Sequence, residues 1–233
     1  MANLFYPEKV YATTGTFYPD ADPETSTVDG RITYDTTGTT WNTAVTATAG
    51  HFLDDSTDIL DVATSYWLDS TSRAQNNRGW FLFDTSSLTS SATISSAIIS
   101  LYKYNSYDGD NDANGYTVIV SGKTPASNTA LVLGDYDQVG STALSNTIDT
   151  TIFATGYNDY TLNATGLGEI LKTGISYFAT REGHDLNNDQ PLNSTNNGIA
   201  VRMADDVGTS QDPKLVVTYT LPITPKQNII WFD

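Results

Sequence analysis

The sequence contains no cysteine, which excludes disulfide bonds, thiolate nucleophiles and thiolate metal ligands. Basic residues are also scarce: 11 Lys and Arg stand against 27 Asp and Glu, and the formal net charge is -16. A surface with this charge repels a phosphate backbone, so we expect no nucleic-acid partner.

Long apolar runs are missing as well. No stretch approaches the roughly 18 apolar residues of a membrane span, and the first 15 residues lack the basic region and apolar segment of a signal peptide. We therefore expect no membrane insertion. A protein of this kind that works outside a cell needs another route, such as assembly into a virus particle and release by lysis. A mature protein without its signal has the same appearance.

Few residues suited to catalysis are present. There are two histidines, His51 and His184, and neither an HExxH nor a GxSxG pattern occurs. A glycosidase needs only two carboxylates, which 27 acidic residues supply by chance, so glycoside hydrolysis stays open as a third alternative. We predict that the protein is not an enzyme.

The sequence does have the pattern of many short β-strands. Runs of Val, Ile, Tyr, Phe and Trp recur between clusters of Thr, Ser, Asn, Asp and Gly. The clearest strand covers residues 79–84, where Trp80 and Leu82 face one side and Phe81 and Phe83 the other, so we expect it mid-sheet with both faces covered. Other strands are predicted at 97–103, 116–120, 199–203 and 214–220, and less distinct ones at 9–13, 31–34, 58–67 and 157–162.

One segment has a helical pattern. Asn163 suits an N-cap, an apolar stripe follows, and Gly166 and Gly168 indicate that the helix is short. We predict an all-β fold, a jelly-roll-like antiparallel β-sandwich with one short helix. Residues 1–220 are assigned to a single domain and residues 221–233 to a C-terminal tail.

The tail ends in four large apolar residues, Ile229, Ile230, Trp231 and Phe232. One interpretation is that the tail folds back on its own domain. The other is that it docks onto a neighbouring subunit, since an apolar peptide after a proline-containing spacer suits a groove or a sheet edge.

The block RGWFLFDTSSLTSSATISSAIISLY, which begins at Arg78, resembles the core of disaggregatase-related (DNRLRE-type) domains. In that family an Arg precedes an apolar strand ending in Phe-Asp, here Phe83 and Asp84, and a Ser-rich turn leads to the return strand. The phrase DPKLVVTYT from Asp212 is similar to the family's final strand. These domains resemble carbohydrate-binding modules, so the resemblance implies a jelly-roll-like sandwich with a noncatalytic role on surface polymers. The family's Trp-containing segment and its namesake motif are absent, which puts its glycan site in doubt.

Other phrases, including TPASNTALVLGDYDQVG and GYNDYTLNATGL, resemble uncharacterised proteins of tailed phages and environmental bacteria. This second resemblance implies a virion or an extracellular surface as the location. We expect a protein partner in that surface assembly, and an oligomeric or assembled protein.

Two sets of residues are candidates for binding. In DGDNDANG, the residues Asp108, Asp110, Asp112 and Asn114 alternate as oxygen ligands do in Ca²⁺ loops, although Ala113 and Ile119 occupy EF-hand positions that require Gly and an acid. A solvated hairpin tip is the alternative, and the polar cluster that begins at His184 is interpreted as a loop. Sugar rings stack on exposed aromatics, and the candidate platforms are Trp41, Tyr66, Trp67, Tyr104 and Tyr107, each of which suits core or rim packing as well.

The leading hypothesis is a noncatalytic structural or adhesive β-sandwich of a surface assembly, such as a phage capsid, a phage tail or a surface filament. The alternative is a carbohydrate-binding module that recognises a polysaccharide, with Ca²⁺ as its candidate cofactor.

Overall fold

Antiparallel strands are the predominant secondary structure in the computed structural model, which describes residues 11–222. The predicted all-β, sandwich-like fold is therefore confirmed. The strands are β1 Thr13–Phe17, β2 Asp29–Thr36, β3 Phe52–Asp54, β4 Ile59–Leu68, β5 Arg73–Asp84, β6 Thr93–Asp108, β7 Tyr116–Gly122, β8 Val139–Ala143, β9 Ile148–Asp149, β10 Tyr157–Thr161, β11 Ile175–Glu182, β12 Asn196–Arg202 and β13 Lys214–Thr220.

Strand β6 connects two sheets. Its first half pairs with β13 and β10, and β13 pairs in turn with β1. Its second half pairs with β12, and the larger sheet continues through β4, β5, β11, β7 and β8. A 16-residue strand of this kind passes from one sheet to the other at a corner of the sandwich.

Two apolar clusters lie on opposite faces of the larger sheet. The first fills the space between the sheets, where Phe81 and Phe83 of β5 meet Ile99 and Leu101 of β6. The second contains Trp80 and other side chains of the larger sheet together with residues of the segments that cover its far side. The side chains of β5 from Trp80 to Phe83 are all 0 % exposed. The prediction that this strand is covered on both faces is confirmed.

Three short α-helices are present in the described residues, where one was predicted. They are α1 Trp41–Val45, α2 Ala164–Gly168 and α3 Gly183–Asn187. The predicted N-cap of α2 is confirmed, since Asn163 Oδ1 accepts a hydrogen bond from the Gly166 amide at 3.0 Å. Helices α1 and α3, like α2, have five residues each, and the side chains of Thr40 and Glu182 cap their N-termini. None of the helices within residues 11–222 is long and apolar enough to cross a bilayer.

Candidate functional site

The acidic segment DGDNDANG forms the turn between β6 and β7. Asn197 of β12 holds this turn: its Oδ1 accepts a hydrogen bond from the Gly109 amide at 2.8 Å, and its Nδ2 donates to Asp110 Oδ2 at 3.0 Å. The side chain of Asp110 is 0 % exposed, whereas that of Asp112 is 38 % exposed. The turn is therefore anchored inward at Asp110 rather than solvated along its whole length.

Helix α3 brings His184 to this turn. The helix begins directly after β11, and Glu182 is its N-cap, with Oε2 accepting a hydrogen bond from the His184 amide at 2.9 Å. The same oxygen accepts a hydrogen bond from Ser65 Oγ at 2.6 Å. Glu182, His184 and Asp185 are fully buried, so the start of the predicted polar loop lies in the interior, whereas residues 187–189 are exposed as a polar loop would be.

The imidazole of His184 lies between three carboxylates. Its Nδ1 is 2.8 Å from Glu182 Oε1, and its Nε2 is 3.2 Å from Asp110 Oδ2 and 3.2 Å from Asp112 Oδ2. Ligand atoms of Asp110, Asp112 and His184 all lie within 4.8 Å of one another. Two predicted metal candidates therefore meet a histidine that sequence spacing alone does not place beside them.

Electrostatics at this site favour a positive charge. Burial opposes protonation of the imidazole, but the hydrogen bond to Glu182 and the charges of Glu182, Asp110 and Asp112 raise the pKa of His184 to about 9. Burial also raises the pKa of Glu182, against the effect of its hydrogen bonds with His184 and Ser65. A proton on Nε2 or a bound cation satisfies the same requirement for positive charge.

Two carboxylate oxygens of the acidic turn have no hydrogen-bond partner among the described residues. They are Asp108 Oδ1 and Asp110 Oδ1, and both are buried. Burial and the charges of Asp110, Asp149 and Asp112 raise the pKa of Asp108. Buried carboxylate oxygens are normally paired, so these two are notable features of the site.

Asn114, the fourth predicted ligand, points elsewhere. Its Oδ1 accepts a hydrogen bond from Asn187 Nδ2 and its Nδ2 donates to Asp189 Oδ2, both at 2.7 Å. A β-carbon at Gly183 would lie only 2.3 Å from the Asn114 carbonyl oxygen. Asn114 therefore joins the turn to α3 by packing and hydrogen bonds, and both amide atoms of its side chain are already engaged.

The five aromatic candidates separate into buried and accessible residues. The side chains of Trp41 and Trp67 are 3 % and 7 % exposed and belong to the second apolar cluster. This corrects the expectation that they are accessible, because the segments over the far side of the larger sheet cover both indoles. Tyr66 is half-buried, with the Arg73 guanidinium 5.7 Å from its ring centroid.

Tyr104 and Tyr107 lie in the second half of β6. Lys103 pairs with Val201 and Asn105 with Ala200, so Tyr104 is the extra residue of a β-bulge and has no opposite residue on β12. Its side chain is 56 % exposed, and the Arg202 guanidinium lies 5.5 Å from its ring centroid. Tyr107 is half-buried, and burial together with the negative charge of the neighbouring Asp61 raises its pKa.

The predicted docking residues Ile229, Ile230, Trp231 and Phe232 lie outside the described residues. Docking through this tip therefore stays a prediction.

The chain matches no known protein-family model, and no curated protein is detectably similar to it.

Proposed function

We propose that this chain is a noncatalytic adhesive β-sandwich of a surface assembly, and that it holds a polysaccharide against the outer side of β6. The observation that carries the proposal is the aromatic ring of Tyr104, which a β-bulge presents to solvent beside Arg202. A bulge re-aims one side chain out of the regular alternation of a strand, and bulges are common next to binding sites.

The surroundings of Tyr104 suit a sugar. An exposed tyrosine ring offers an apolar face for the C–H groups of a pyranose, and nearby charged groups bind hydroxyls. The side chain of Arg202 is 27 % exposed and pairs with Asp206 at 3.4 Å. Asp61, which is 3.7 Å from Arg31, adds a carboxylate beside Tyr107. We name Tyr104, Tyr107, Arg202 and Asp61 the tyrosine face.

A noncatalytic role is supported by the way the buried acids are used. Two guanidiniums neutralise Asp185, and His184 neutralises Glu182. Buried acids that are paired with basic side chains stabilise the fold. Neither Asp185 nor Glu182 is presented to a substrate on the tyrosine face. The setting on a virion or an extracellular surface rests on the resemblance of the sequence to phage and environmental bacterial proteins.

Affinity electrophoresis through gels that contain bacterial capsular, O-antigen and cell-wall polysaccharides tests the proposal. We expect at least one polymer to retard the protein, and Tyr104→Ala to weaken that retardation about fivefold, since a lost stacking contact is worth roughly 1 kcal/mol. The matched control is Tyr11→Ala, because Tyr11 is 75 % exposed and is not part of the tyrosine face.

The proposal is contradicted if no polymer retards the wild-type protein. It is also contradicted if Tyr104→Ala migrates as the wild type does, or if Tyr11→Ala loses as much retardation as Tyr104→Ala.

A further inference from the structure

We propose that Asp110, Asp112 and His184 form a binding site for a transition-metal ion of the Zn²⁺ class. This site is independent of the tyrosine face and of the polysaccharide binding proposed for it. Its three side chains come from two segments, the turn between β6 and β7 and the helix α3.

The distances fit a small tetrahedral ion. Zn²⁺ bonds nitrogen and oxygen ligands at about 2.0 to 2.1 Å, and a tetrahedral arrangement at that length separates the ligand atoms by about 3.3 Å. His184 Nε2 lies 3.2 Å from the nearest oxygen of Asp110 and 3.2 Å from that of Asp112. These two separations match the tetrahedral value, and the Asp110 and Asp112 oxygens lie within 4.8 Å of each other.

The second nitrogen of the imidazole already has the partner that metal-binding histidines use. Glu182 Oε1 is 2.8 Å from Nδ1, and Ser65 holds the other oxygen of the same carboxylate. A carboxylate on Nδ1 fixes the tautomer that directs the lone pair of Nε2 to the ion, and it raises the basicity of the ring. We assign Glu182 as a positioning residue of the site.

Hydrogen bonds within the cluster do not account for all of its atoms. The contacts of His184 use one oxygen of Asp110, and the other oxygen of this fully buried side chain has no partner among the described residues. A cation bound by both oxygens of Asp110 satisfies the unpartnered one, whereas an ion pair with the imidazole alone leaves it costly to bury.

The nitrogen ligand decides the class of metal. Ca²⁺ takes six to eight oxygen ligands, whereas imidazole suits Zn²⁺ and its neighbours in the first transition row. The Ca²⁺ prediction used the oxygens of Asp108, Asp110, Asp112 and Asn114, but the side chain of Asn114 is committed to α3. The set that the fold assembles contains His184 in its place.

Isothermal titration of the chelator-treated full chain with ZnCl₂ alone tests the site at near-neutral pH. We expect about one Zn²⁺ per chain and a rise in melting temperature of several degrees, because the ion binds the folded state. Asp112→Asn is the primary variant, since its partly exposed side chain makes misfolding a small risk. We expect a loss of affinity of tenfold or more. His184→Gln should also lose binding, provided that circular dichroism shows it to be folded.

The matched control is Asp189→Asn, which removes an acid just beyond the C-terminal end of α3, where its side chain bonds Asn114 and none of the three ligands. We expect its Zn²⁺ affinity to stay within about twofold of the wild type. Co²⁺ supplies a spectroscopic check, since the visible absorption of a tetrahedral site should appear in the wild type and disappear in Asp112→Asn.

Three results overturn the inference: no Zn²⁺ binding by the wild type, unchanged affinity in Asp112→Asn, or tighter binding of Ca²⁺ than of Zn²⁺. None of them bears on polysaccharide retardation, so the two proposals fail separately.

Discussion

Arg78 of β5 and Asp185 of α3, which are 107 positions apart in the sequence, form a buried ion pair joined by two hydrogen bonds. Arg78 Nε donates to Asp185 Oδ2 at 2.8 Å and Nη2 donates to Oδ1 at 2.6 Å. Arg181 approaches the same carboxylate, with Nε–Oδ2 and Nη2–Oδ1 distances of 2.7 and 3.0 Å. The pair fixes α3 against the larger sheet, and α3 carries His184.

Replacing Asp185 by Asn should destabilise the protein strongly. The two guanidiniums would remain buried without a counter-charge, and removing one partner of a buried pair costs about 3 to 5 kcal/mol. Urea unfolding followed by circular dichroism measures the loss as a lower midpoint at an unchanged slope.

The control for this variant is Asp206→Asn, which breaks the partly exposed pair of Arg202 and Asp206. Pairs of that kind contribute about 1 kcal/mol or less. A loss in Asp185→Asn no larger than in Asp206→Asn would show that the buried pair is not what holds α3.

Strand β5 shows which part of the fold is predictable from sequence. Its second half is predicted correctly because Trp80 to Phe83 is a continuous apolar run. Its first half, RAQNNR, is polar and yet largely buried. Asn76 donates to Tyr136, and Asn77 donates to Thr64, so the partners that make burial acceptable lie far along the chain or on another strand. Hydrophobic periodicity carries no information about such partners.

The candidate metal site is likewise only partly predictable from the sequence. The alternation of Asp110 and Asp112 is visible in the sequence, but His184 is 72 positions from Asp112 and meets it only through the pairing of β7 with β11. The segment EGHD gives little local signal, because Glu182 occupies the N-cap of α3 but glutamate is not among the residues that prefer this position. Nothing in the segment identifies which loop faces the histidine.

Asp212→Asn should make the protein more stable at neutral pH. Burial and the negative charges of Asp206 and Asp205 raise the pKa of Asp212 from 3.8 to about 6. Between about pH 4 and pH 6 the folded state therefore binds more protons than the unfolded state, and this group removes stability as the pH rises through that window. Above the window the wild type carries a buried charge that the asparagine variant lacks.

The difference in unfolding free energy between Asp212→Asn and the wild type, measured by urea titration at several pH values, checks this sign. We expect the advantage of the variant to be greatest at pH 7, to shrink as the pH falls from about 6 to about 4, and to stay constant below that. An advantage that is constant with pH, or one that grows on acidification, contradicts the shifted pKa of Asp212.

Gly183→Ala should destabilise the protein and weaken the proposed metal site, because Gly183 is where α3 and the acidic turn approach each other most closely. An added β-carbon would lie 2.3 Å from the Asn114 carbonyl oxygen and 2.8 Å from Cε1 of Tyr116, so the turn must move away from the helix.

Gly168→Ala in α2 is the matched control, since its β-carbon would meet nothing within 4 Å. Alanine there should be neutral or stabilising by up to about 1 kcal/mol, because it reduces the freedom of the unfolded chain. Melting curves with and without Zn²⁺ separate the two effects: Gly183→Ala should melt lower than the wild type and gain less from Zn²⁺, whereas Gly168→Ala should gain as much as the wild type. Equal melting temperatures for the two alanine variants would mean that the close packing at Gly183 does not position His184.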